Sequence, residues 1–163
     1  MKIVVGYLRS PQGQAALNVA STAARDLDAE LVVVHSYEGR DGETEREYDS
    51  DLDEVSDRLE AEGVEHSIRA LSRGLSPAED IVRVAEELDA ALVVVGLRTR
   101  SPVGKALLGS VTQSVLFDSP CPVLTVKAED GGRWTVPVTR DEPEIRHRPG
   151  GLEVDPRDAP PTG

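Results

Sequence analysis

Aromatic side chains are nearly missing from this chain: they make up 3% of 163 residues, with one Trp and one Phe. Any core must therefore be built from Val, Leu, Ile and Ala. Cysteine occurs once, as Cys121, which excludes an internal disulfide. Set between Pro120 and Pro122 at the start of an apolar run, it reads as a small buried hydrophobe rather than a nucleophile. No apolar run reaches 18 residues, and the opening MKIVVGY is too short for a signal peptide and reads as a strand, so a soluble, cytoplasmic protein is expected. Lysine is confined to Lys2, Lys105 and Lys127. With 30 acids against 18 bases the net charge is −12, which disfavours nucleic acid and anionic membranes as partners. Acid excess with Arg in place of Lys looks like the surface of a halophilic protein from a salt-rich cytoplasm.

Familiar catalytic patterns are also missing. There is no G-x-S-x-G elbow, no Cys/His pair and no plausible Ser/His/Asp set. His35, His66 and His147 are scattered without metal-ligand spacing, and His35 reads as a structural histidine at the end of a strand. The acidic run Asp49–Glu54 lacks the glycine and terminal Glu of a calcium loop and reads as a solvated helix face. No catalytic residue and no metal ligand is assigned.

What is present is an alternation of apolar strands with helices. Ile3–Tyr7, Leu31–His35, Val64–Leu71, Leu92–Val95 and Pro122–Val126 read as strands. Between them, Ala15, Ala16, Val19, Ala20, Ala23, Ala24 and Leu27 recur at helical spacing over about 11–27. Leu52, Val55, Leu59 and Ala61 give a thin apolar stripe on a very acidic helix, with Gly63 as its C-terminal stop. Ser76-Pro77-Ala78-Glu79 is a capping box opening a third helix, whose buried face carries Ile81, Val82, Val84, Ala85 and Leu88. The order β-α-β-α-β-α-β-α-β with near-continuous apolar strands predicts an α/β fold: a doubly wound parallel five-stranded sheet with helices on both faces.

The rest of the chain serves residues 91–117. A buried strand ends at Gly96, a loop follows, and Gly109–Ser110 opens a helix carrying Val111, Val115 and Leu116. A glycine turn beside a helix N-terminus gathers unpaired N–H groups and partial positive charge, which suits a phosphate. Residues 90 to 117 hold no Asp or Glu, while Arg98, Arg100 and Lys105 lie in the loop. A Walker loop is excluded, since Thr99 stands where its first glycine belongs and Ala106 follows Lys105. The spacing instead matches G-x2-G-x9-G-[ST] through Gly96, Thr99, Gly109 and Ser110, with Thr99 replacing the second glycine.

In these residues the chain resembles the universal stress protein (UspA-like) family, whose nucleotide-binding members carry that motif on ATP. The likeness runs over about 1–128, through SPAEDIVRVAEELDAALVVVG and CPVLTVK. It implies the adenine nucleotide alpha hydrolase-like sheet order 3-2-1-4-5, a homodimer paired through the fifth strand Pro122–Val126, and a role in stress response without a defined enzyme activity. It also implies a nucleotide site formed by Gly96, Arg98, Thr99, Gly109, Ser110 and Val111, with Leu8, Arg100 and Lys105 beside it, ATP as ligand and Mg²⁺ accompanying it. Leu8 stands where nucleotide-binding relatives usually place an Asp, and Thr99 adds a Cβ where they have none.

Three readings follow. The first is a homodimeric regulatory module that senses an adenine nucleotide through ordering of loop 97–109. The second, favoured by Leu8 and Thr99, is a nucleotide-independent dimeric interaction protein of the same fold. The third is a slow phosphatase or phosphotransferase, for which no residue stands out as base. Residues 129–163, with six prolines and dense mixed charge, read as a weakly ordered extension whose one apolar segment is Trp134–Val138.

Overall fold

The computed structural model describes residues 1–36, 45–71, 75–97 and 109–128, with the backbone alone for 45–48. Nine elements alternate in it: β1 (Lys2–Gly6), α1 (Pro11–Asp26), β2 (Glu30–Ser36), α2 (Glu45–Ala61), β3 (His66–Leu71), α3 (Pro77–Glu87), β4 (Leu92–Leu97), α4 (Ser110–Asp118) and β5 (Val123–Lys127). The strands form one all-parallel sheet in the order β3-β2-β1-β4-β5, as the resemblance implied. The expectations for Arg98, Thr99, Arg100, Lys105, His147, Trp134–Val138 and the extension 129–163 lie outside the described residues.

The central strands β1, β2 and β4 are buried on both faces, which explains why they read as unbroken apolar runs, while β3 at the edge is only half-buried. Ile3, Val5, Leu31, Val33 and Val94 face one core, built with the alanine stripe of α1 and with Leu52, Val55 and Leu59 of α2. Val4, Val32, Val34, Val93 and Val95 face the other, against Ile81, Val84 and Ala85 of α3 and Val115 of α4. Alanines at 15, 16, 20, 23 and 24 let α1 lie close to the strands without large side chains between.

Helix ends follow the local chemistry. Ser10 accepts from the Gly13 N–H at 3.1 Å with Pro11 at the first helical position of α1. At α3, Ser76 accepts from the Glu79 N–H and Glu79 accepts from the Ser76 N–H at 2.8 Å, a complete capping box. The Ser76 N–H and the Ser76 hydroxyl, both donating to the Glu79 carboxyl, hold it below its ordinary pKa. Past α2, Gly63 takes φ +69, the left-handed stop that its position predicts.

Some side chains depart from expectation. Leu27 caps α1 rather than continuing it and is exposed, and Ala61 at the end of α2 and Leu116 of α4 are exposed as well. Cys121 is half-buried against the second core, with its sulfur 3.8 Å from the Ser119 hydroxyl.

Candidate functional site

The chain leaves β1 toward β2 and β3 on one side and returns through β4 toward β5 on the other. The switch point therefore lies between β1 and β4, where ligands of open α/β sheets bind beyond the carboxyl ends of the strands. Two helices start at that point. After β1, Tyr7 and Leu8 lead into a turn in which the Ser10 N–H donates to the Leu8 carbonyl at 2.8 Å, and α1 begins. Leu8 is 41% exposed there.

Gly96 of β4 is the pivot. A Cβ on it would come within 2.5 Å of the Gln12 carbonyl oxygen and 2.7 Å of its carbon, so the first turn of α1 rests directly on this glycine. From the other side, the Thr112 hydroxyl in the first turn of α4 donates to the Gly96 carbonyl at 3.2 Å. The two helix starts thus meet across one residue that has no side chain.

α4 opens without a cap. Gly109 has extended backbone (φ −62, ψ 152) and offers no side chain to the helix. The ladder begins at the Gln113 N–H, which donates to the Gly109 carbonyl at 3.0 Å. The N–H groups of Ser110, Val111 and Thr112 precede it and have no intrahelical acceptor. Neither α1 nor α4 has an acid in its first turn, whereas α3 has Glu79 and Asp80 in its own. The positive ends of the two dipoles at the switch point are thus left uncompensated by carboxylates of their own helices. Ser110 is exposed; Val111 packs its side chain on the second core, so only its backbone can face a ligand. Gly96, Gly109, Ser110, Val111 and Leu8 all stand at the carboxyl edge of the sheet beside the switch point.

Polar groups that the sequence did not reveal fasten this edge. The Tyr7 hydroxyl donates to Asp51 Oδ2 at 2.8 Å and accepts from Gln14 Nε2 at 2.6 Å, while Arg58 donates to Asn18 at 2.7 Å. Burial, the Asp51 hydrogen bond and the Asp51 charge push the Tyr7 phenol well above its ordinary pKa, so it stays protonated as the donor. The His35 ring meets the Tyr7 carbonyl through Nδ1 at 3.1 Å, in keeping with a structural histidine. On the opposite face, Ser36 at the end of β2 donates to the buried Asp80 at 2.8 Å. Among these, Tyr7 carries a sequence signal as a rare aromatic closing the first apolar run, and His35 one as a histidine at the end of a strand. Tyr7→Phe strips a donor from Asp51 and an acceptor from Gln14. It is expected to cost about 1–2 kcal/mol, a fall in melting temperature of roughly 2–8 °C in a thermal scan.

The family model for the Universal stress protein family matches residues 1–127. The chain belongs to that family. A universal stress protein of Mycolicibacterium smegmatis is 37% identical over 127 residues, spanning 77% of this chain and 96% of the relative. Among solved structures, a universal stress protein in complex with cAMP is 29% identical with a TM-score of 0.64, covering 78% of this chain and 97% of the other. The universal stress protein of Archaeoglobus fulgidus in complex with dAMP is 30% identical with a TM-score of 0.63, covering 78% and 98%. In this universal stress protein no helix among the described residues is long and apolar enough to cross a membrane.

Proposed function

We propose that this universal stress protein is a regulatory module that holds an adenine nucleotide at the switch point between β1 and β4. The uncapped, acid-free N-terminus of α4 carries the reading: three N–H groups without intrahelical partners face the carboxyl edge beside a glycine-gripped helix junction. The phosphates rest on the backbone of Ser110, Val111 and Thr112, and Arg98, Arg100 and Lys105 bring the positive charge. Thr99 and Gly109 border the phosphate path, and Leu8 faces the nucleoside end with an apolar surface instead of a carboxylate. The cAMP and dAMP complexes of relatives support an adenine ligand, and ATP is the form assigned here. Mg²⁺ accompanies the nucleotide on its own phosphate oxygens. Nucleotide binding shifts contacts between two copies paired through β5. Among the described residues β5 is paired on one side only, and Phe117 of α4 is 80% exposed. The module binds rather than turns over its ligand, acts in the cytoplasm, and carries residues 129–163 as an extension beyond the 1–128 domain.

Ser110→Asp tests the phosphate site without weakening the fold. A carboxylate in the first turn complements the α4 dipole, so the melting temperature should hold or rise slightly. The same charge repels a phosphate, and calorimetric titration with ATP should show at least tenfold weaker binding, about 1.4 kcal/mol. Equal ATP affinity in the variant removes the phosphate from α4. A wild-type protein that ignores ATP with and without Mg²⁺ overturns the nucleotide site and points to the nucleotide-independent dimer, the reading that the exposed Leu8 favours.

A further inference from the structure

Among the described residues β3 too is paired on one side only, at the sheet edge away from the switch point. Leu31 of β2 sits opposite His66 and its N–H donates to the Glu65 carbonyl at 2.8 Å. In a parallel ladder each residue bonds the two neighbours of the one it faces, so residues 65, 67, 69 and 71 direct their backbone groups at β2. His66, Ile68 and Ala70 therefore direct their N–H and C=O groups outward. Among the described residues no further strand pairs with them. The ring of His66 keeps to this side as well: its Nδ1 lies 2.9 Å from the Val64 carbonyl and its Nε2 2.9 Å from the Ser56 hydroxyl.

Beside this edge runs a groove of about 540 Å³, lined by Asp49, Leu52, Asp53 and Ser56 of α2 and by His66, Ser67 and Ile68 of β3. The helical residues recur at i, i+3, i+4 and i+7, so they form one stripe along the strand. Leu52 and Ile68 give the groove an apolar floor continuous with the first core, and Asp49 and Asp53 give it an acidic rim. An open strand edge with outward donors and acceptors is a template for another strand. The rim decides what that strand carries.

We propose that the β3 edge and the acidic stripe of α2 form a docking surface for an extended cationic segment of another protein, which adds to the sheet as a sixth strand. Main-chain hydrogen bonds to His66, Ile68 and Ala70 supply the register. Alternate side chains of the segment fall into the groove, where Lys or Arg meets Asp53 and Asp49 and small apolar groups meet Leu52 and Ile68. A second copy of this chain is the poorer occupant, because two β3 edges brought together would set two acidic rims side by side on molecules of net charge −12. The surface does not depend on the nucleotide reading.

The test uses an acetylated, amidated nonapeptide of alternating Lys and Val, titrated into the full-length ¹⁵N-labelled protein at physiological salt. Saturable shifts at the amides of 66–70 and along 49–56 are expected. A peptide of the same sequence with two N-methylated amides keeps the charge and loses main-chain donors; it should bind about tenfold more weakly. Asp53→Lys should weaken the parent peptide by a similar factor with the fold intact. Ala70 is exposed and its N–H faces outward, so Ala70→Pro is compatible with an edge strand and should abolish strand addition. The proposal is overturned if both peptides bind equally, if the shifts fall on 123–127 instead, or if Asp53→Lys binds as the wild type. It is also overturned if Ala70→Pro, run beside wild type in sedimentation, dissociates a dimer, which would make the β3 edge a contact between copies.

Discussion

Gly96→Val is expected to destabilise the protein by about 3 kcal/mol, the upper end for overpacking a tight contact. For a chain of this size that is a fall in melting temperature of roughly 6–12 °C, read by calorimetry or circular dichroism. The cause is space. A Cβ at 96 meets the backbone of Gln12, its carbonyl oxygen, its carbonyl carbon and, at 2.9 Å, its Cβ. A flexible side chain could swing aside, but a helix's first turn moves only by lifting α1, whose alanine face is seated on the first core. Gly63 supplies the contrast. Its surroundings are open, yet its φ of +69 strains any L side chain, so Gly63→Ala should cost about 1 kcal/mol through backbone conformation alone. If Gly96→Val melts like wild type, α1 does not rest on β4 as described and the junction of the two helix starts at the switch point fails with it. Should it fold but lose ATP, the glycine serves both the packing of α1 and the close approach of the ligand.

That double use bears on what the sequence disclosed. Gly109 and Ser110 were legible because helix starts write themselves into a few adjacent residues, and the capping box at Ser76–Glu79 was legible for the same reason; Gly96 reads as the end of its strand, whereas β4 runs through it to Leu97, paired with β5. β1, β2 and β4 were legible because burial on both faces leaves mostly Val, Leu and Ile, and β3 because an edge strand alternates apolar with polar residues. Their order 3-2-1-4-5 was supplied by resemblance, since periodicity along a chain says nothing about which strands lie side by side. Packing reasons stayed hidden when the partner was distant. Gly96 read as a phosphate-lining residue, while its contact with Gln12 needs the fold. Tyr7 and Asp51 are 44 residues apart, as are Ser36 and Asp80. His66 and Ser56 meet only because the turn after Gly63 folds β3 back along α2. Leu27 and Leu116 fitted the helical stripes yet lie exposed, because each sits at a helix end where the stripe runs past the sheet it covers.

Asp80 shows how the fold adds to what a local rule says. An acid in the first turn of a helix complements the dipole even when solvated. In the structure it is 0% exposed. One carboxylate oxygen accepts from the Ser36 hydroxyl at 2.8 Å, and the other is 3.2 Å from the Arg83 guanidinium. Desolvating a carboxylate is costly, and two charge-assisted contacts offset that cost only while both partners remain. Asp80→Ala leaves the buried Ser36 hydroxyl without its acceptor and Arg83 without its counter-charge. The expected loss is about 2–4 kcal/mol, a fall in melting temperature of roughly 5–15 °C. Asp80→Asn keeps an oxygen for Ser36 and should lose less. A double-mutant cycle with Ser36→Ala isolates the pair: a coupling of at least about 1 kcal/mol is expected if Ser36 and Asp80 act as one fastening. Ser36 closes β2 beside β1, and Asp80 sits next to Ile81, whose side chain would touch a Cβ on Gly6. The fastening therefore pins the carboxyl ends of β1 and β2 to α3 on the face opposite α1. Additive single-mutant losses would instead mean that Asp80 is held by Arg83 and packing alone. The end of β2 would then be free to shift relative to the switch point, and the edge proposed to hold the nucleotide would rest on β1, β4 and α4 without it.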